Sequence, residues 1–203
     1  WHPLAETGLR SNYSDDLLWL PYVMLAYLDE TGDDAALEAV EPFYDRGEGS
    51  LRDHCERAID KALARRSDRG LPLILEGDWN DGMNAVGSGQ RGESVFVAHF
   101  LHDILTRWVE LPGIDEAVRG RYGEAAESLR EAINEHAWDG AWYWRATTDE
   151  GEVIGASGSA GGGAEGEIFL NAQTWAVLGG SAPEARARQA LASAGERLYV
   201  AYG

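Results

Sequence analysis

Ser94-Val95-Phe96-Val97-Ala98-His99-Phe100-Leu101-His102-Asp103-Ile104-Leu105-Thr106-Arg107-Trp108-Val109-Glu110 reads as a helix that buries Val97, Leu101, Ile104, Leu105 and Trp108. Patterns of the same kind lie on both sides of it. Upstream, Leu51, Cys55, Ile59 and Leu63 step at i, i+4 behind Ser50-Leu51-Arg52-Asp53, a capping-box pattern with Asp in place of the usual Glu. Downstream, a helix is predicted from about Ile114 to His136 through Val118, Tyr122, Ala125, Leu129 and Ile133. An earlier apolar run, Leu17 to Leu28, predicts a helix beginning near Trp19, with Pro21 in its first turn and Gly32 as its stop. Asp33 or Asp34 should cap a short helix through Val40, halted by Pro42. Asn171 to Leu178 and a final helix opened by Ser181-Ala182-Pro183-Glu184 complete the set, with Asn171 read as a cap. Ala141 to Thr147, turned by Asp149-Glu150-Gly151 into Val153-Ile154, predicts one hairpin. The fold class is therefore all-α, with six or seven paired helices. Either a toroid of inner and outer helices or a plain bundle fits the pairing.

Of 203 residues, 17 are Lys or Arg and 35 Asp or Glu, a net charge of −18. That balance argues against a nucleic-acid surface and against a polybasic membrane anchor. No apolar run is long enough for a membrane-spanning helix, and Trp1 to Glu6 do not read as a signal peptide. A single cysteine, Cys55, excludes an internal disulfide and fits a reducing, cytoplasmic compartment; its place on an apolar helix face makes it core. Eight Trp and eight Tyr suit carbohydrate stacking and aromatic cores equally.

Between the helices, Gly70 to Gly92 is too rich in glycine for a helix and reads as a long ordered loop. It carries Asp78-Trp79-Asn80-Asp81-Gly82-Met83-Asn84. Asp and Asn beside Gly are ordinary turn chemistry. Trp79 adds a second reading: an indole under the apolar face of a sugar, with carboxylates and amides on its hydroxyls and a protonated acid beside them. Calcium fits poorly, because Gly82 falls one residue early for an EF-hand loop and Gly89 stands where the closing Glu is needed. Arg10-Ser11-Asn12-Tyr13-Ser14-Asp15-Asp16 is either a helix cap or a hydroxyl-binding pair with Arg10 nearby. On a strand, Trp142 and Trp144 would share one face, and Tyr143 and Arg145 the other, which could point into a cleft. The five histidines form no metal pair, and the glycines lack the ending of a phosphate-binding P-loop, so no cofactor is expected.

Six segments occur in an order that resembles glycoside hydrolase family 94: Ser14 to Pro21, Gly70 to Leu73, Gly77 to Asn84, Gly92 to Val95, Trp138 to Ala146 and Asn171 to Leu178. That family holds cellobiose, cellodextrin and chitobiose phosphorylases and the C-terminal part of cyclic β-1,2-glucan synthases. The resemblance implies an (α/α)6 barrel and inverting phosphorolysis of a β-glucoside or β-glucan, with inorganic phosphate as co-substrate and an α-sugar 1-phosphate as product. It implies Asp81 as the general acid. By the same match Arg10, Asp15, Asp16, Asp78, Trp79 and Asn80 would line the sugar site. Phosphate replaces base-activated water, so one catalytic carboxylate suffices.

The resemblance also implies that residues 1–203 are a partial barrel. The family's N-terminal β-sandwich and its phosphate-binding His and Thr-Gly elements have no match here, and the piece alone is expected to be inactive or poorly folded. Members of the family often dimerise, so a homodimer of the parent protein is an open expectation. Leu170 to Trp175 resembles the glucan and glucoside branches more than the chitobiose branch. Two rivals stay open: an inverting hydrolase, with Glu76, Asp15 or Asp16 activating water, and a noncatalytic sugar-binding module.

Overall fold

The computed structural model describes residues 11–44, 46–158 and 166–200. Six α-helices dominate: α1 (Asp16–Thr31), α2 (Leu51–Leu63), α3 (Val95–Trp108), α4 (Glu116–His136), α5 (Leu170–Leu178) and α6 (Glu184–Leu198). Helix α3 packs between α1 and α5, while α2, α4 and α6 lie against α1, α3 and α5 respectively. The described residues thus form three inner–outer pairs, with α1, α3 and α5 as the inner row. Short links join α3 to α4 and α5 to α6, so each pair is antiparallel. The N-termini of the three inner helices consequently share one end. The three segments that lead into them carry Asp15, Asp78 to Asp81, and Trp142 to Arg145.

Composition explains which helices are inner. Every residue of α3 from Val95 to Leu105 is buried, including His99 and His102, which requires neighbours on all sides. Aromatic rings lock the inner row together: Trp19 lies 4.8 Å from Phe100, Phe100 4.7 Å from Trp175, and Tyr22 5.6 Å from Trp175. Such pairs add about 0.5–1.5 kcal/mol each beyond the area they bury. Helix α4 shows a single buried stripe of Tyr122, Ala126, Leu129 and Ile133, as an outer helix should.

Local chemistry sets most helix ends where the sequence places them. Gly32, at φ 66°, ends α1 and donates to the Leu28 carbonyl at 2.8 Å. At α2 the capping box forms in full, with the Asp53 N–H on Ser50 Oγ (3.1 Å) and the Ser50 N–H on Asp53 Oδ2 (2.9 Å).

Four ends differ. Helix α1 starts at Asp16, three residues before Trp19, because the segment ahead of it is anchored: the Ser14 N–H bonds the Gly77 carbonyl at 2.9 Å. Pro21 therefore sits within the helix rather than in its first turn. The short helix after Gly32 is a 3-10 turn, Asp34–Glu38, and Val40–Pro42 (β1) instead pairs with Glu48–Ser50 (β2) in a second hairpin. Helix α6 begins after Pro183 without a side-chain cap, since the Ser181 hydroxyl faces the buried His99 Nδ1 at 2.6 Å. The N-cap of α5 is Phe169, not Asn171. The predicted hairpin forms at Ala146–Thr147 (β3) and Val153–Ile154 (β4), turned by Asp149-Glu150-Gly151, but its strands are short.

Candidate active site

At the end where the inner helices begin, the segment before α1 runs antiparallel to the segment carrying Asp78. Ser14 N–H and Oγ both donate to the Gly77 carbonyl, at 2.9 and 3.1 Å, and the Asn12 N–H donates to Glu76 Oε2 at 3.2 Å. Gly77, at φ 140°, lies flat under the Tyr13 ring, where a Cβ would come within 2.7 Å of the ring. This pairing brings Asp15 and Asp16 to the Asp78–Asp81 loop from more than sixty residues away in sequence.

Asp78 is the buried foot of that loop. It is 0% exposed, as is its ionic partner Arg145. Its Oδ2 accepts the Ser94 hydroxyl at 2.6 Å, and its Oδ1 accepts Arg145 Nη2 and the Asn80 N–H (3.1 Å). Asn80 Oδ1 in turn accepts the Gly82 N–H at 3.2 Å, closing an Asx-type turn. Beyond it, Met83 plugs a small apolar cluster with Ile74 and Ala146. The turn between these two anchors presents Trp79, 65% exposed, and Asp81, also exposed, to solvent. The loop is thus a tight turn, and the turn displays an indole and a carboxylate.

The frame beneath is stapled to α3. The Glu93 N–H bonds the Thr147 carbonyl (3.2 Å), the Thr147 N–H bonds the Glu93 carbonyl (3.0 Å), and the Val95 N–H bonds the Arg145 carbonyl (3.1 Å). Glu93, 2% exposed, pairs with Arg69 and accepts from Thr147 Oγ1 at 3.2 Å. Asp149, at the hairpin turn, accepts the N–H groups of Gly89 (2.6 Å), Arg91 (2.8 Å) and Gly92 (3.0 Å). Partial burial pushes its carboxyl up, but those three donors outweigh burial and hold it below the usual range.

Asp15 occupies the N-cap position of α1 without capping it. Its Oδ2 accepts Trp19 Nε1 at 2.8 Å instead. Burial, and secondarily the charges of Asp78 and Asp16, hold its carboxyl above the usual range, against the pull of the indole hydrogen bond. Asp16 is exposed and bonded to the Ser11 hydroxyl.

Of the residues picked from sequence, the structure brings Asp15, Asp16, Asp78, Trp79, Asn80, Asp81 and Arg145 to one place. Arg145 and Asp78 meet there as a buried pair. Tyr143 stands apart, because the chain is not a regular strand before Ala146 and residue alternation does not hold. Its ring is in the main core, edge-on to His99 at 4.9 Å, with its hydroxyl on Asn134 Oδ1 at 2.6 Å. Arg10 lies outside the described residues, as do residues 159–165 of the Gly/Ser/Ala tract. Ser94, Glu93, Arg69 and Asp149 join the frame of the site without being marked individually by the sequence. Ser94 reads in sequence as a helix start and as part of the Gly92 to Val95 segment, and that segment is the available hint that this start does more.

The geometry can do three things chemically. It offers an exposed aromatic face, a displayed carboxylate whose turn is fixed at both ends, and a recessed carboxylate with a raised proton affinity. Among the described residues no cluster of His, Cys, Asp and Glu could hold a metal ion, and no helix is long and apolar enough to cross a membrane.

Known proteins resemble this chain in sequence and in fold. The chain is 38% identical over 194 residues to the solabiose phosphorylase of Paenibacillus borealis, covering 94% of this chain and 25% of that protein. It is 33% identical to the cyclic beta-(1,2)-glucan synthase NdvB of Rhizobium meliloti, over 94% of this chain and 7% of that protein. It is 36% identical to the N,N'-diacetylchitobiose phosphorylase of Vibrio proteolyticus, over 97% of this chain and 24% of that protein. The chain spans about a quarter of the length of the phosphorylases it matches. Among solved structures, a rhamnosidase from Klebsiella oxytoca superposes with a TM-score of 0.62 at 17% identity, over 93% of this chain and 31% of that one. That likeness places the three helix pairs as part of an (α/α)6 barrel, a fold with six such pairs. The catalytic-domain model of the Glycosyl hydrolase 94 superfamily matches residues 3–203, and the chain belongs to that family.

Proposed function

We propose that this chain is the acid-bearing part of an inverting glycoside phosphorylase acting on β-linked glucosides or glucans. Asp81 protonates the glycosidic oxygen of the departing sugar. A phosphate oxygen attacks the anomeric carbon from the opposite face, the carbon–oxygen bond to the leaving sugar breaks, and α-glucose 1-phosphate results. Trp79 stacks beneath the sugar, while Asp15, Asp16, Asn80 and Arg10 address its hydroxyls. Asp78 and Arg145, both fully buried, act on the sugar through the loop they hold. The residues that bind phosphate belong to other parts of the parent protein, and this piece alone is inactive. No cofactor is needed, and a reducing cytoplasm suits the buried thiol of Cys55.

The observation that carries this reading is the placement of Asp81. It is exposed beside an open indole, on a turn pinned by Asp78 on one side and Met83 on the other. Phosphorylases among the relatives support phosphate, rather than water, as the nucleophile.

The test uses the full-length protein, wild type and Asp81→Asn, on a panel of β-linked glucose disaccharides with and without inorganic phosphate. Phosphate-dependent α-glucose 1-phosphate, lost in Asp81→Asn, is expected and would also name the linkage. Free glucose without phosphate would replace the reading with a hydrolase using a second carboxylate. Sugar binding without turnover, unaffected by Asp81→Asn, would replace it with a binding module.

A further inference from the structure

We infer that Ser94 is a positioning residue for Asp81, referencing the general acid to the N-terminus of helix α3. The inference rests on the reading of Asp81 as the acid. A serine that merely starts a helix needs one acceptor, and Ser94 supplies it to the Val97 N–H at 3.2 Å. Asn or Asp would supply that acceptor as well, and Gly is also accepted at a helix start. The fully buried Ser94 hydroxyl does more. It donates its proton to Asp78 Oδ2 at 2.6 Å and accepts from Arg145 Nη1 at 3.3 Å. One donor and two lone pairs are the whole capacity of a hydroxyl, and all three are used. Neither Asp nor Gly at this position could donate to Asp78.

From Ser94 the path to Asp81 is short and continuous. Asp78 accepts the Asn80 N–H at 3.1 Å, Asn80 Oδ1 accepts the Gly82 N–H at 3.2 Å, and Asp81 lies between these two anchors. Arg145 alone would hold the charge of Asp78 but not the orientation of its second oxygen. Without the Ser94 hydroxyl, the carboxylate can rotate about its own axis and carry the Asn80 amide with it. A shift of about 1 Å in a catalytic group can cost on the order of 100-fold in rate.

The experiment compares two leaving groups in the full-length protein. A β-linked glucose disaccharide needs its departing oxygen protonated. 2,4-Dinitrophenyl β-glucoside does not: phosphate bonds to the anomeric carbon and dinitrophenolate leaves as an anion, with no proton required. Ser94→Ala should lower kcat on the disaccharide about 10- to 100-fold with KM changed by less than about 3-fold, and lower kcat on the aryl glucoside by less than about 3-fold. Asp81→Asn should show the same split, larger.

If Ser94→Ala does not fold, Ser94→Gly retains a serviceable helix cap without the hydroxyl and takes the same comparison. Equal losses on both substrates would show a general structural fault and overturn the proposal, as would unchanged disaccharide turnover. Asp81→Asn with no dependence on leaving group would instead overturn the acid assignment on which the proposal rests.

Discussion

Arg145→Met tests whether the Asp78–Arg145 pair holds the site's frame together. Both side chains are fully excluded from solvent. Removing the guanidinium strands the Asp78 carboxylate with only the Ser94 hydroxyl at 2.6 Å and the Asn80 N–H at 3.1 Å. Breaking one side of a buried pair costs about 3–5 kcal/mol, chiefly because the remaining charge stays buried without compensation. Two surviving hydrogen bonds put the expected loss near the lower end, about 3 kcal/mol. Asp78→Asn strands Arg145 instead, at a similar cost. The double variant strands neither charge, so its loss should fall short of the sum of the singles by about 1–3 kcal/mol.

The second buried acid provides the control. Arg69, paired with Glu93, keeps 41% of its side chain in water, so Arg69→Met removes a partly screened partner and should cost clearly less than Arg145→Met. Urea unfolding of the full-length protein, with all variants read through the same transition, supplies the numbers. An Arg145→Met cost below about 1 kcal/mol, or single costs that simply add in the double, would show that the pair contributes little and that the frame stands on its backbone hydrogen bonds alone.

Trp79→Ala should leave the unfolding free energy within about 0.5 kcal/mol of wild type, since the ring is mostly in water, while raising KM for the β-glucoside; a large loss of stability would mean the indole is structural. Gly87→Ala should cost about 1–3 kcal/mol, because its Cβ would run into Ile74 Cγ2 and come within 3.3 Å of the Leu75 N and O, which are backbone and cannot turn aside; wild-type stability would refute the tight packing of that loop. Burial, aided by the neighbouring His102, pushes the His99 imidazole down to about 3. An unfolded histidine titrates near 6.5, so the unfolded state takes up the proton first. The contribution of His99 is therefore intact above about pH 6.5 and lost as pH falls toward 3, at up to about 1.4 kcal/mol per pH unit. Unfolding free energies of wild type and His99→Phe between pH 7 and 5 should diverge in slope, the variant being flatter; parallel curves would refute the buried neutral state.

Helices were legible where a local signal decides them. The Ser50–Asp53 box, the Gly32 stop and the one-sided stripe of α4 are each set within a few residues, and each forms in the structure. Elements decided by distant partners were not legible. Val40–Pro42 carries a helix-stopping proline, yet becomes a strand because Glu48–Ser50 lies opposite. Ser181 has the composition of a helix cap, but an imidazole from α3 uses its hydroxyl. Trp142 to Arg145 has the alternation of a strand, but Tyr143 is claimed by Gln173, whose Oε1 accepts the Tyr143 N–H at 3.0 Å and whose Nε2 donates to the Tyr143 carbonyl at 2.7 Å. No local pattern encodes such a grip from another helix.

The site follows the same division. Asp78 to Asp81 could be found from residue type alone, because an indole set among carboxylates and amides is a chemical statement made within four residues. Asp15 and Arg145 are candidates one segment at a time, but their meeting with Ser94 is not legible, since the three come from segments that precede three different helices of the inner row. The toroidal packing explains why they meet. Antiparallel inner–outer pairs return the chain to the same end before each inner helix, so the segments before α1 and α3 and the first hairpin strand before α5 are laid side by side there. A helix pair can drift in sequence wherever its apolar stripe survives, but these segments must fit one another as well as a ligand. Substitutions at Ser94, Asp78 or Arg145 should therefore be felt at Asp81, whereas equally buried changes at the far ends of the same helices should alter stability without altering the balance between activated and unactivated substrates.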